Sequence, residues 1–262
     1  MTEHSFLFET TAPYYARFRP GYPDGFFKHI VHRFELDGQG RLLDLGCGTG
    51  QLTLPLAPHF AEAVGMDPEE EMLQEAKKAA QDAALTNIRW LKGSSANLHP
   101  GVAPIRLVTM GRSFHWMDRD AVLATLFDIV ETGGGVVIVT DQSAWPDERN
   151  YEAVTKKVVK KWLGEWRRAG SSYYAHPKDR HEVIIARSSF RSFETFRLRY
   201  ERRWEVKQVI GHCFSTSCCS AKLLGENKQA FEDDLRTALT DLQPSGVFTE
   251  PVELEALLLF RG

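Results

Sequence analysis

The chain has 262 residues, 43% of them hydrophobic and 26% charged, with a formal net charge of −3. Such a balance suits a folded globular protein and argues against a disordered chain or a strongly basic nucleic-acid binder. No apolar run approaches the roughly 20 residues of a membrane helix. The opening MTEHSFLFET also lacks the basic flank and apolar core of a secretory signal, so a cytoplasmic protein is expected.

A single domain is expected over 1–262: an arm (1–35), a core (36–141) and an elaboration (142–262). The arm holds APYYARFRPGYP (12–23), and the core then alternates strand and helix signals. RLLDL (41–45) is an apolar run ending at glycines. QLTLPLAPHF (51–60) predicts a helix bent or shortened by Pro55 and Pro58. EAVGMD (62–67) is a second strand ending in an acid. PEEEMLQEAKKAAQDA (68–83) is a helix whose Pro68 suits the first turn and whose Glu69 to Glu71 suit its positive N-terminal end. NIRWLKG (87–93), IRLVTMG (105–111) and GVVIVT (135–140) are further strands, with DRDAVLATLFDIV (118–130) a helix between the last two. This alternation predicts a parallel sheet covered on both faces, with ligands outside the carboxyl ends of its strands.

YEAVTKKVVKKWLGEWRRAG (151–170) predicts a helix with Tyr151, Val154, Val158, Trp162 and Trp166 on one stripe and a basic, solvated opposite face. FRLRYERRW (196–204) alternates as a half-exposed strand does, and VELEALLLF (252–260) is a closing strand. Cys47, Cys213, Cys218 and Cys219 match neither a zinc pattern nor a disulfide framework, so free thiols and no metal are expected.

The chemistry concentrates in DLGCGTG (44–50). Gly46 and Gly48 fit the first two positions of the dinucleotide fingerprint G-x-G-x-x-G, but its third falls on Gln51, and the glycine stands one place early at Gly50. An NAD-dependent oxidoreductase is therefore the weaker alternative. The loop resembles motif I of the class I S-adenosylmethionine-dependent methyltransferases. That resemblance implies a Rossmann-like doubly wound α/β fold: a seven-stranded, mostly parallel sheet with an antiparallel C-terminal strand and helices on both faces. It also implies S-adenosyl-L-methionine as cofactor and S-adenosyl-L-homocysteine as product. Gly46, Cys47, Gly48, Gly50 and Gln51 would approach the methionine portion and ribose, and Asp44 would position the ammonium or a bound water. Asp67 is a carboxylate suited to both ribose hydroxyls, although an acid before a helix is by itself more often a cap. Pro68 and Met72 are candidates to pack on adenine. Where the family commonly has an acid or small polar residue near the adenine amine, Ser94, Ser95 and Ala96 (with Asn97) stand here. Gly111 and Phe114 complete the expected cofactor set.

On the acceptor side, TMGRSFHWMD (109–118) lacks the proline pair of amine-methylating enzymes, and the chain lacks the Pro-Cys of pyrimidine enzymes. SFHWMD resembles the F-H-W-F-D of the type 11 small-molecule group, which includes trans-aconitate methyltransferase-like proteins. The arm agrees with that group's Y-x-x-x-R-P-x-Y-P through Tyr15, Arg19, Pro20, Tyr22 and Pro23. The resemblance implies that Arg19 pairs with the methionine carboxylate and that Tyr14 or Tyr15 covers the sulfonium; the alternative is a solvated surface arm. His115 is the candidate general base or acceptor-orienting group, or merely bonds to backbone. Trp116 is a candidate pocket wall. HCFSTSCCSAKLLG (212–225) resembles the S-T-S-Y-type stretch bordering the substrate pocket, with cysteine replacing tyrosine, which makes Cys218 a substrate-side candidate; Cys218 and Cys219 as metal- or arsenical-binding or inert thiols are the alternatives. The expected function is methyl transfer to an O, N or C nucleophile of a small-molecule partner, with no nucleic acid. A non-catalytic S-adenosylmethionine-binding regulator is the other alternative.

Overall fold

The computed structural model describes residues 11–98, 104–145, 149–165 and 179–262, and the backbone of 168–169 and 172–173. The segments 1–10, 99–103 and 146–148, and Trp166, lie outside the described residues.

Seven strands form one sheet: β1 (Arg41–Leu45), β2 (Glu62–Asp67), β3 (Ile88–Lys92), β4 (Ile105–Gly111), β5 (Val130–Ser143), β6 (Glu194–Glu205) and β7 (Val247–Phe260). Their order is β3-β2-β1-β4-β5-β7-β6. The pairs β1–β2, β1–β4, β2–β3 and β4–β5 are parallel. The closing strand β7 runs antiparallel: Gly133 N donates to Arg261 O and Arg261 N to Gly134 O, while Ala144 N donates to Pro251 O. As the chain advances along β5 it meets earlier residues of β7. The same holds against β6, where Arg197 meets Glu255 and Arg199 meets Glu253. The order reverses between β1 and β4, and that switch point is where open α/β sheets bind ligands.

The helices are α1 (Ala12–Phe18), α2 (Asp24–Arg33), α3 (Thr53–Leu56), α4 (Glu70–Asp82), α5 (Arg119–Ile129), α6 (Tyr151–Leu163), α7 (His181–Arg187), α8 (Val206–Phe214), α9 (Ala221–Leu224) and α10 (Lys228–Leu242). Two prolines hold α3 to one turn before a 3-10 turn over Ala57–His59. The helix expected over 151–170 stops at Leu163, because Gly164 adopts φ +86, a left-handed stop that glycine takes without strain. On its exposed face Lys161 reaches Asp234 and Lys160 reaches Glu165.

Contacts divide the chain into two compact units. One comprises 1–20, 142–175 and 199–253; the other comprises 21–141, 176–198 and 254–262. The first is built on Tyr151, Trp204, Ile210, Phe214, Phe231 and Leu235. The second is built on Leu43, Val64, Val108, Leu123, Val136 and Leu259, and it carries the glycine loop.

Candidate functional site

Four buried residues of β1 deliver the glycine loop to the carboxyl edge of the sheet. Gly46 N and Cys47 N both donate to Met66 O, at 2.8 and 3.0 Å, which ties the loop to β2. Gly46, Gly48 and Gly50 adopt φ of +74, +54 and +83, which other residues reach only with strain. A Cβ on Gly46 would lie 2.6 Å from Ser113 Cβ, so glycine also permits the close approach of the loop after β4. Ser113 Oγ donates to Leu45 O at 2.7 Å and holds that approach.

Asp67 ends β2 as expected and is buried. Its Oδ2 accepts from Gly48 N at 2.8 Å, and its Oδ1 from Glu69 N at 2.9 Å. The carboxyl therefore serves the start of the next helix and the glycine loop together. Burial pushes its pKa up to about 6, against the opposing effect of the two N–H donors. A carboxylate accepts about four hydrogen bonds, so two acceptor positions remain for a ligand's hydroxyls.

Asp44 lies deeper, 1% exposed, beneath the loop. Thr53 Oγ1 donates to its Oδ2 at 2.6 Å and Thr109 Oγ1 to its Oδ1 at 2.9 Å. It thus joins β1, α3 and β4, and burial raises its pKa to about 6. Sequence reasoning missed both threonines; a hydroxyl inside the apolar run LVTMG was the available signal. Cys47 is buried with its sulfur toward Gly65 of β2, and burial raises its thiol well above the usual range.

Gln51 is half-buried beside the loop, Pro68 is exposed, and Met72 is buried in the face of α4. Ser94 caps a single 3-10 turn, accepting from Ala96 N, while Asn97 Oδ1 accepts from Ser94 N. Ser95 is half-buried and Ala96 exposed on that turn. Gly111 closes β4. Phe114 is 1% exposed against the His181 ring, a core position. His115 and Trp116 follow on one 3-10 turn, both half-buried, with ring centroids 4.9 Å apart.

Tyr14, Tyr15, Arg19 and Cys218 belong to the other unit. There Lys228 Nζ donates to Tyr14 Oη at 2.8 Å. Arg19 lies 5.2 Å over the Tyr15 ring and meets His212 Nε2 at 3.3 Å. A guanidinium offers only donors, so the imidazole nitrogen accepts. Cys218 is half-buried, 3.5 Å from Thr216 Oγ1, and all four cysteines are free thiols. The Cys213 thiol is raised well above its usual range by its contact with Cys219 and by burial. Lys228 and His212 were not expected from the sequence. Among the described residues no helix is long and apolar enough to cross a membrane, and no cluster of three metal-ligating side chains is found.

The left-handed glycine loop on β1, the β2 acid bonded to it and the order β3-β2-β1-β4-β5-β7-β6 define a Rossmann-like fold of the methyltransferase class. Residues 42–134 match the family model of a methyltransferase domain. Over 142 residues the chain is 28% identical to trans-aconitate 2-methyltransferase of Azoarcus sp., covering 53% of this chain and 51% of that protein. It resembles in fold an S-adenosylmethionine-dependent methyltransferase from Thiobacillus denitrificans solved in complex with S-adenosyl-L-homocysteine. The TM-score there is 0.53 at 15% identity, with 97% of this chain and 98% of that one covered. The YcgJ protein of Bacillus subtilis has a TM-score of 0.54 at 16% identity, with coverage of 92% and 100%. The chain spans about half the length of the curated relatives it matches: 51% of the Azoarcus protein and 42% of a Saccharomyces cerevisiae relative.

Proposed function

We propose that the protein is an S-adenosylmethionine-dependent methyltransferase acting on an O, N or C nucleophile of a small molecule. The observation that carries this reading is Asp67, a buried acid at the end of β2 whose carboxylate is oriented by the glycine loop itself. When bound, the cofactor supplies a methyl group activated on a sulfonium. Asp67 accepts from the ribose hydroxyls through its remaining lone pairs. The side-chain-free loop at Gly46, Gly48 and Gly50 lets ligand atoms approach the backbone. Ser95 and the backbone of 94–96 lie on the turn after β3, where adenine is expected. His115, half-buried after β4, holds or accepts the acceptor's proton, and Trp116 forms the wall beside it. The small-molecule class is supported by the SFHWMD segment and by the relative named trans-aconitate 2-methyltransferase.

Thermal unfolding with added ligand tests the cofactor. S-adenosyl-L-homocysteine at 100 times its dissociation constant should stabilise the chain by about 2.7 kcal/mol. Asp67→Ala should abolish the shift while leaving the circular dichroism spectrum intact. Stabilisation by NAD and none by S-adenosyl-L-homocysteine would overturn the reading. Labelled methyl transfer to a panel of small molecules, lost in His115→Ala, separates an enzyme from a non-catalytic binder.

A further inference from the structure

Three side chains that the glycine motif does not account for converge on the carboxyl end of β4. Tyr22 precedes α2, and its ring packs with Phe26 and Phe27 at centroid distances of 5.6 and 6.4 Å. Its hydroxyl reaches the strand end: a Cβ built on Gly111 would lie 2.6 Å from the Tyr22 oxygen and 2.7 Å from Leu52 Cδ1. Glycine at 111 is thus the counterpart of Tyr22. Arg112 follows with φ +55, a left-handed conformation uncommon for a side-chain-bearing residue. Its guanidinium stands 4.7 Å over the Tyr22 ring, and its Nε donates to Asp141 Oδ1 at 2.5 Å. The ion pair is largely buried, with side-chain exposures of 13% and 7%.

The position of these groups gives them meaning. Leu52 follows the loop of β1 and Gly111 ends β4, so the Tyr22 hydroxyl lies at the carboxyl end of β4, the strand that borders the switch point of the sheet order. A ligand whose ribose is held at Asp67 on β2 must extend past β1 toward β4 with its sulfonium-bearing end. We propose that Tyr22 contacts that methionine half of the cofactor. Arg112, clamped by Asp141, is the positioning residue that holds the Tyr22 ring. This rests on the cofactor reading above, since it assigns a further contact in the same site. The cation over the ring face and its ion pair with Asp141 of β5 together fix the aromatic plane.

Calorimetric titration of the full-length protein with S-adenosyl-L-homocysteine tests this. Tyr22→Ala should weaken binding at least tenfold. Tyr22→Phe keeps the ring packing and should weaken it several-fold with unchanged thermal stability. Arg112→Gln should weaken binding, and Arg112→Lys should restore part of the loss by returning a cation to the ring face. A merely structural role predicts lowered melting temperatures with wild-type affinity in all four variants, and that result would overturn the proposal. If Tyr22→Ala fails to fold, the phenylalanine variant decides alone. Absence of binding by the unmodified protein is a separate result: it overturns the cofactor reading, and this proposal falls with it.

Discussion

Asp44 and Asp67 are two carboxyls under one loop, and burial raises each to about 6. For Asp44 burial outweighs the hydroxyl donors Thr53 and Thr109, and the charge of Asp67 adds to the upward push. An unfolded aspartate titrates near pH 3.9, so between about pH 4 and 6 the folded chain binds the Asp44 proton more tightly than the unfolded chain. The contribution to stability is therefore fully present below pH 4 and is lost as pH rises through 6. Two pK units correspond to about 3 kcal/mol. Asp44→Asn keeps the shape without the charge, and both threonine hydroxyls can rotate to suit an amide. Urea unfolding should find the variant gaining on the wild type as pH goes from 4 to 7, by up to about 3 kcal/mol. A difference independent of pH would mean that the carboxyl titrates alike in both states. The motif resemblance drew attention to Asp44 and the end of the second strand to Asp67, but the bonding partners of Asp44 were hidden: Thr53 and Thr109 stand 9 and 65 residues from it.

Among the elements, β2 and β3 are joined by a glycine facing a tryptophan. Gly65 is registered opposite Trp90, and a Cβ there would lie 2.4 Å from the indole ring and 3.1 Å from Cys47 Sγ. The far edge of the same ring would meet a Cβ on Gly50 at 3.0 Å. Trp90 therefore fills room left by two glycines, one of them in the loop. Gly65→Ala should cost about 1–3 kcal/mol by overpacking. Adding Trp90→Leu should recover part of that, so the double variant costs less than the sum of the singles in denaturant unfolding. Strict additivity would show that ring and glycine are not coupled. The strands themselves were legible, because short apolar runs ended at glycines or acids and prolines marked the break in α3. The early start of β5 was not: the strand signal begins only at GVVIVT, and pairing of Val130 with Ile105 and of Gly133 and Gly134 with Arg261 extends the strand back across ETGGG. The end of α6 was overrun because its apolar stripe continues past Gly164 in sequence while the backbone does not.

Across the molecule the near-neutral charge of −3 conceals two kinds of ion pair. Most described pairs are exposed, such as Arg199–Glu253, with side-chain exposures of 84% and 19%. Arg202–Glu250, three residues along the same strand, is buried, with exposures of 15% and 3%. Sequence cannot separate the two arginines by type or by charge; the pleat and the neighbouring rings do so. Arg202 lies between Tyr200 and Trp204, donating to Tyr200 Oη at 2.6 Å, and Glu250 also accepts from Trp204 Nε1 and Ser143 Oγ. An exposed pair contributes at most about 1 kcal/mol and is screened by salt, whereas removing one partner of a buried pair costs about 3–5 kcal/mol. Arg199→Ala should therefore lose under about 1 kcal/mol in urea unfolding at low salt, and nothing measurable in 1 M sodium chloride. Arg202→Ala should lose about 3–5 kcal/mol at either salt concentration, because it strands the Glu250 carboxylate where ions do not reach. Equal losses for the two variants, or a loss at Arg202 that salt relieves, would show that burial does not decide the worth of these pairs.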